Sequence, residues 1–357
     1  MQVLDYLNKY QKVDFKELPF NEVDALLLAM VSYFPFDELN NQKTIYSSED
    51  LLKRINEYKP PHKTTERKLK YIEMTKNICL ANRFKGIKFA WFKKVHDKHA
   101  EKQFQAITLI LHDFAYVSFC GTDSTTLGWK EDFNMAYLEM VPSEVEAVNY
   151  LNEVAYFFFF KKFYVGGHSK GGRLAISAAK SLKKKNKLLG IYSFDAPNFP
   201  PAGYDENYKS IDPLIHDYTP DESIIGRLMH EYRHKKIVAS SNALLMQHDA
   251  FSWELYDHSF IYKSAYTDRS THIVDTINYA LYNYDEERKK DFIDTIFDFL
   301  ARLDVEKLPG EKELLPFFVS KFGSIREEWK NTSKEKRAVV KKMLFDITKD
   351  YLLKKKN

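Results

Sequence analysis

Cysteine is nearly absent from this chain of 357 residues: Cys79 and Cys120 are its only two. Two thiols cannot build a dense disulfide framework, and these lack the spacing of a zinc site. Glycine and proline are also scarce, at 12 each, which excludes collagen-like and low-complexity chains. No charge sign dominates, since 54 Lys and Arg stand against 50 Asp and Glu for a formal net charge of +4. That balance gives no reason to expect nucleic acid as a partner. Long apolar runs are missing too. The stretch Ala25 to Val31 falls far short of the ~20 residues that span a bilayer. The opening segment MQVLDYLNKYQKVDFKE has no basic stretch leading into an apolar run with a small-residue cleavage site. No signal peptide is read there, and a cytoplasmic location with reduced thiols is the expectation.

What the chain has in plenty is aromatic residues. Twenty-seven Phe, 23 Tyr and 4 Trp make up 15% of it, within a hydrophobic share of 44%. Such rings fill a core or line a site for an apolar ligand. The run Tyr156 to Phe160 could form a lid or an apolar pocket, but core packing is the expected role for most of its rings. At roughly 150 residues per domain the length suggests about two units.

The segment NEVDALLLAMVSYF reads as a buried helix, with Asn21 as N-cap and Asp24 at the third helical position. A second helix is read in ERKLKYIEMTKNICLA, so residues 1–100 are expected to form a helical layer on the core. From Gln103 the character changes. Ala106 to Leu111 and Ala115 to Cys120 read as paired strands, and downstream helices alternate with strand candidates at Phe163 to Val165, in LLGIYSFDAPN, and at Leu214 to Tyr218 and Lys236 to Ser240. This alternation predicts an α/β fold with a mainly parallel central sheet over 101–262. The remainder, 263–357, reads as a helical extension.

The sharpest signal is Gly167-His-Ser-Lys-Gly171, a G-x-S-x-G between an expected strand and an expected helix. In that context the serine occupies a strained turn that exposes its hydroxyl, and Gly167 and Gly171 remove Cβ atoms that would collide there. Ser169 is therefore the candidate nucleophile. Such a serine needs a base and an orienting acid, in the chain order Ser, acid, His. Asp221, in the loop after LIHDY, is the expected acid and His248, in MQHDAFSW, the expected base. Asp217 falls inside a strand, and Asp195 follows the strand directly after the nucleophile helix, which is early for the acid. His230, His234 and His258 are the rival bases. The N–H groups of Lys170 and Thr122 are the expected oxyanion donors, with the Thr122 hydroxyl buttressing its loop.

These residues resemble the class 3 lipase branch of the α/β-hydrolases, whose hallmark is a Phe-Arg-Gly-Ser/Thr strand end with a Trp-x-x-Asp segment behind it. Here the counterparts are Phe119-Cys-Gly-Thr122 and Trp129 to Asp132, followed by Val165-Gly-Gly-His-Ser-Lys-Gly-Gly172. SFDAPNF, DESIIGRLM and QHDAFSW further resemble a bacterial group of lipase-like proteins. The resemblance runs from about residue 20 to 256. It implies an α/β-hydrolase fold and a serine esterase acting on small-molecule acyl esters through Ser169, Asp221 and His248, with no cofactor and no metal. A thioesterase, a peptidase or a hydrolase-like binding module would keep the same constellation. Three departures stand out. Cys120 replaces the usual Arg, and the secretion signal of lipases is missing. Asp221 lies two residues before the stretch aligned with lipase Ile-Val-Pro-Arg-Leu, where the acid would directly precede it at the position of Ser223. The lysine-rich end KDYLLKKKN allows a weak association with membrane surfaces; nothing in the sequence sets the oligomeric state.

Overall fold

The computed structural model describes residues 1–39, 44–303, 305–306 and 322–354. Eight strands form one sheet in chain order: β1 (Ile45–Ser47), β2 (Lys88–Asp97), β3 (Lys102–Ile110), β4 (Ala115–Phe119), β5 (Phe163–His168), β6 (Leu188–Phe194), β7 (Ile215–Pro220) and β8 (Lys236–Val238). Strands β1 to β4 pair antiparallel, and β4 to β8 pair parallel. A small hairpin of β9 (Leu255–Tyr256) and β10 (Ser259–Phe260) follows. The helices are α1 (Val3–Tyr10), α2 (Glu22–Met30), α3 (Ser48–Glu57), α4 (Glu66–Leu80), α5 (Thr126–Asn134), α6 (Pro142–Phe157), α7 (Lys170–Lys180), α8 (Glu206–Ile211), α9 (Asp268–Asn283), α10 (Glu286–Arg302), α11 (Phe322–Asn331) and α12 (Lys334–Lys354). This is the α/β fold with a mainly parallel sheet that the alternating pattern predicts, and it agrees with the α/β-hydrolase fold that the resemblance implies.

Strand order dictates where the helices go. Right-handed crossovers between strands laid down in sequence all pack on one side. Accordingly, α6 and α7 cover the face that carries Ala115, Val117, Phe163, Val165 and Ile191. The alternate residues Tyr116, Tyr192, Phe194 and Tyr218 point the other way and need another cover. The N-terminal helices supply it: Val23, Leu26, Leu27, Met30, Met74 and Ile78 are buried in the same cluster. Helix α2 is fixed as its sequence predicts, the Asn21 side chain accepting from the N–H groups of Val23 and Asp24 while Asp24 returns a bond to the Asn21 N–H. The layer is pinned by a buried ion pair, Arg83 to Asp24 at 2.5 Å, with the Tyr6 hydroxyl donating to the same carboxylate at 3.0 Å.

Residues 1–100 are not wholly helical. Strands β1 and β2 extend the sheet into this segment, and β2 is half exposed with lysines on its open side, so it lacks the apolar density of its neighbours. In the C-terminal part, α10 buries Ile293, Phe297 and Leu300 against Trp129, Ala136 and Tyr137 at the end of α5. The last residues of KDYLLKKKN, 355–357, lie outside the described part. Among the described residues no helix is long and apolar enough to cross a membrane.

Candidate active site

Ser169 follows the last residue of β5 and caps α7, with φ 60° and ψ −136°. A side chain held at positive φ is strained, and here the turn is locked from both sides. The Ser169 N–H bonds the Phe194 carbonyl at 2.9 Å, and its own carbonyl accepts from Gly172 at 3.0 Å. A Cβ on Gly167 would stand 2.3 Å from the carbonyl carbon of Gly171, and one on Gly171 would stand 2.1 Å from the Phe119 oxygen. Both glycines are thus required by contact with backbone that cannot yield.

In the register of β5 against β6, His168 pairs with Phe194. The next residues along the two strands, Ser169 and Asp195, therefore emerge side by side at the carboxyl edge, where open α/β sheets gather their ligands. Asp195 is also at positive φ, 49°. Its Oδ2 accepts from His248 Nδ1 at 2.6 Å, while its Oδ1 accepts from Thr219 at 2.6 Å and Ser223 at 2.5 Å. Burial pushes this carboxyl up, but the bonds from His248, Ser223 and Thr219 outweigh it and hold the group down at about 2. The Asp195 side chain is 1% exposed and that of His248 20%. With Nδ1 committed to the carboxylate, Nε2 of His248 is left as the basic nitrogen.

Asp221, the acid expected from the sequence, makes a different contact. That carboxylate accepts from Gln247 Nε2 at 3.1 Å, and the carboxylate that holds His248 is Asp195. The reason is positional: β6 adjoins β5, whereas Asp221 follows β7, one strand further out. Asp217 instead faces the ammonium of Lys235 at 3.3 Å. Of the rival histidines, His258 pairs with Asp257 at the surface.

The loop after β4 lies against the serine. The Thr122 hydroxyl donates to Asp132 at 2.5 Å, giving the Trp-x-x-Asp segment its use as a brace for that loop. Burial raises Asp132 to about 6, against the opposing pull of Lys170 and the Thr122 bond. Lys170 turns its side chain away from the serine: its buried ammonium bonds Gln103 at 2.6 Å and Glu131 at 3.0 Å. Only its backbone N–H is thereby available to the site. The expected Arg position holds Cys120, buried and pushed up to about 12 by desolvation, so it is an unreactive thiol.

Residues 78–298 match the Mbeg1-like family. The chain belongs to that family. None of the curated proteins matches it. Among solved structures, this Mbeg1-like protein is similar to M37 lipase, with 15% identity and a TM-score of 0.38 over 58% of this chain and 70% of that one. It is also similar to Rhizomucor miehei lipase in its propeptide complex, with 16% identity and a TM-score of 0.33 over 46% of this chain and 59% of that one. For Lip2 lipase from Yarrowia lipolytica the values are 16% and 0.33, over 44% of this chain and 67% of that one.

Two residues of the Mbeg1-like site escaped the sequence reading. His168 donates from Nε2 to the His248 carbonyl at 2.8 Å, with the two rings 4.6 Å apart. Burial first, and the neighbouring His248 second, lower it to about 3, so it is a neutral strut. Tyr33, from the turn after α2, shares its hydroxyl proton between Nδ1 and the carbonyl of His168, both at 3.2 Å, and accepts from the Gly121 N–H at 3.1 Å. Its ring stacks on Tyr71 at 4.8 Å. His168 lay within the quoted motif, but Tyr33 carried no signal, because its contact spans 135 residues. Among the described residues no His, Cys, Asp and Glu cluster that could hold a metal is present.

Proposed function

We propose that this Mbeg1-like protein is a serine hydrolase of carboxylic esters, with Ser169 as nucleophile, His248 as base and Asp195 as the orienting acid. The observation that carries this reading is the 2.6 Å bond from His248 Nδ1 to a buried carboxylate that leaves its strand beside Ser169. In the reaction His248 Nε2 takes the Ser169 proton as the hydroxyl oxygen attacks the ester carbonyl. The tetrahedral oxyanion rests on the N–H groups of Thr122 and Lys170, and Asp195 balances the imidazolium. His248 then passes the proton to the departing alkoxide, and water admitted by the same base cleaves the acyl-enzyme.

A fluorophosphonate probe tests the assignment on the intact protein. Wild type and Asp221→Ala should label alike, Ser169→Ala should not label, and His248→Ala and Asp195→Ala should label far more slowly. Labelling of Ser169→Ala at the wild-type rate would remove the nucleophile from this position.

A further inference from the structure

Of the run Tyr156 to Phe160, expected to pack in the core, Phe158 does pack against it and the other four rings stand outside. Tyr156 is 77% exposed, Phe157 54%, Phe159 70% and Phe160 67%. Four large rings side by side on a surface mark a contact with something else. They form a built ridge in which Phe157 and Phe158 pack on Trp91 at 4.7 and 5.5 Å, and Phe160 packs on Phe159 at 5.7 Å. Trp91 is delivered there by a bulge, with φ 57°, where the register of β2 against β3 slips between Ala90 and Lys93.

Lysines surround the ridge. Lys161 and Lys162 follow it in the chain. Lys183, Lys184, Lys185 and Lys187 lie in the turn before β6, which is brought alongside because Phe163 pairs with Leu188. Lys187 donates to the Phe159 carbonyl. Among the described residues none of the six is in an ion pair. The carboxylates near these lysines are Glu153, a turn earlier on α6, Asp113, which is held by His112, and those around α8, which Lys185 touches through Asn207 and Ser210; of these Asp205 pairs with Lys180, Glu206 with Lys209 and Asp212 with Arg233. Protein interfaces favour arginine with its fixed fork and are depleted in lysine. Aromatic rings ringed by flexible point charges suit a fluid array of phosphates.

We propose that this ridge seats the protein on an anionic phospholipid bilayer, with Tyr156, Phe157, Phe159 and Phe160 at the level of the headgroups and the exposed Lys162, Lys183 and Lys184 against lipid phosphates, while Lys161, Lys185 and Lys187 bond the protein. The surface lies at the amino end of β5, whose six residues separate it from Ser169 by about 20 Å. Docking therefore leaves the candidate active site facing away from the bilayer. The proposal does not depend on Ser169 being a nucleophile.

Flotation of the full-length protein with vesicles decides it. With phosphatidylcholine mixed with phosphatidylglycerol the protein should float, with phosphatidylcholine alone it should not, and added salt should release it. Phe159→Ser with Phe160→Ser, and separately Lys162→Glu with Lys183→Glu and Lys184→Glu, should each lower the bound fraction about tenfold or more at unchanged melting temperature. The lysine set is fully at the surface and tests the idea even if the ring variant folds poorly. Wild type that ignores both vesicles, or variants that float as wild type does, would overturn the proposal. So would a ring variant that turns an oligomer into a monomer in sedimentation while wild type ignores lipid, since a second copy would then own the ridge.

Discussion

The Ser223 hydroxyl donates to Oδ1 of Asp195 at 2.5 Å, although the two residues belong to the ends of different strands. Ser223 occupies the place where the lipase pattern puts its acid. The carboxylate beside His248 thus arrives from β6, and Ser223 keeps contact with it through a hydroxyl. Two places in the chain converge on one point of the site.

That convergence can be tested by moving the acid. Asp195→Ser should lose on the order of 10³- to 10⁴-fold in kcat on a short acyl ester. Adding Ser223→Asp should recover at least about tenfold of the loss. A double variant no better than the single one would mean that the two places are not interchangeable.

Conservative amides separate the two aspartates. Asp195→Asn keeps the shape but offers His248 Nδ1 an ambiguous partner, and should cost on the order of 10⁴-fold in kcat with little change in KM. Asp221→Asn alters only the contact with Gln247 and should stay within a few-fold of wild type. Steady-state hydrolysis of a soluble ester reads both.

His168 should leave a signature in stability against pH. Its folded value is held at about 3, below the ordinary 6.5. Between those limits the unfolded chain binds more protons, so stability falls as pH drops from about 6.5 toward 3. Asp195, lowered to about 2, adds a loss in the same direction in a more acidic window, from about 4 downward. Urea unfolding of His168→Gln should show a flatter dependence above about pH 4 than wild type. An identical slope would assign the effect elsewhere.

The ammonium of Lys170 and the carboxylate of Glu131 are both almost wholly buried, 3.0 Å apart. Lys170→Met leaves the carboxylate uncompensated and should cost about 3–5 kcal/mol in denaturant unfolding. Pairing it with Glu131→Gln should recover part of that cost, and full additivity of the two variants would show that they do not interact.

The elbow glycine has no room. Gly171→Ala sets a Cβ 2.1 Å from the Phe119 oxygen and should destabilise by at least about 3 kcal/mol, read by thermal or denaturant unfolding.

Local features were legible in the sequence and relationships across the sheet were not. The Asn21 cap, the strands from β3 to β8 and the elbow around Ser169 are each set within a few residues, and they stand where propensity and spacing put them. Asp195 is hard to read from sequence because chain order favours a later acid, whereas strand adjacency puts it next to Ser169. Strand β2 was missed because its open side carries lysines, so only Phe89, Ala90 and their neighbours signal a strand. The exposure of Phe159 and Phe160 was illegible because ring count alone cannot distinguish a core from a ridge.

The hydroxyl of Tyr33 occupies the Gly121 N–H and steadies the residue before the serine. Tyr33 comes from the N-terminal layer, so that layer reaches the candidate site as well as covering half of the sheet. A cut near residue 100 would strip one face of the sheet and release the loop beside Ser169 in one stroke. The chain is divisible on paper into a layer and a core, but as a machine it has no seam there.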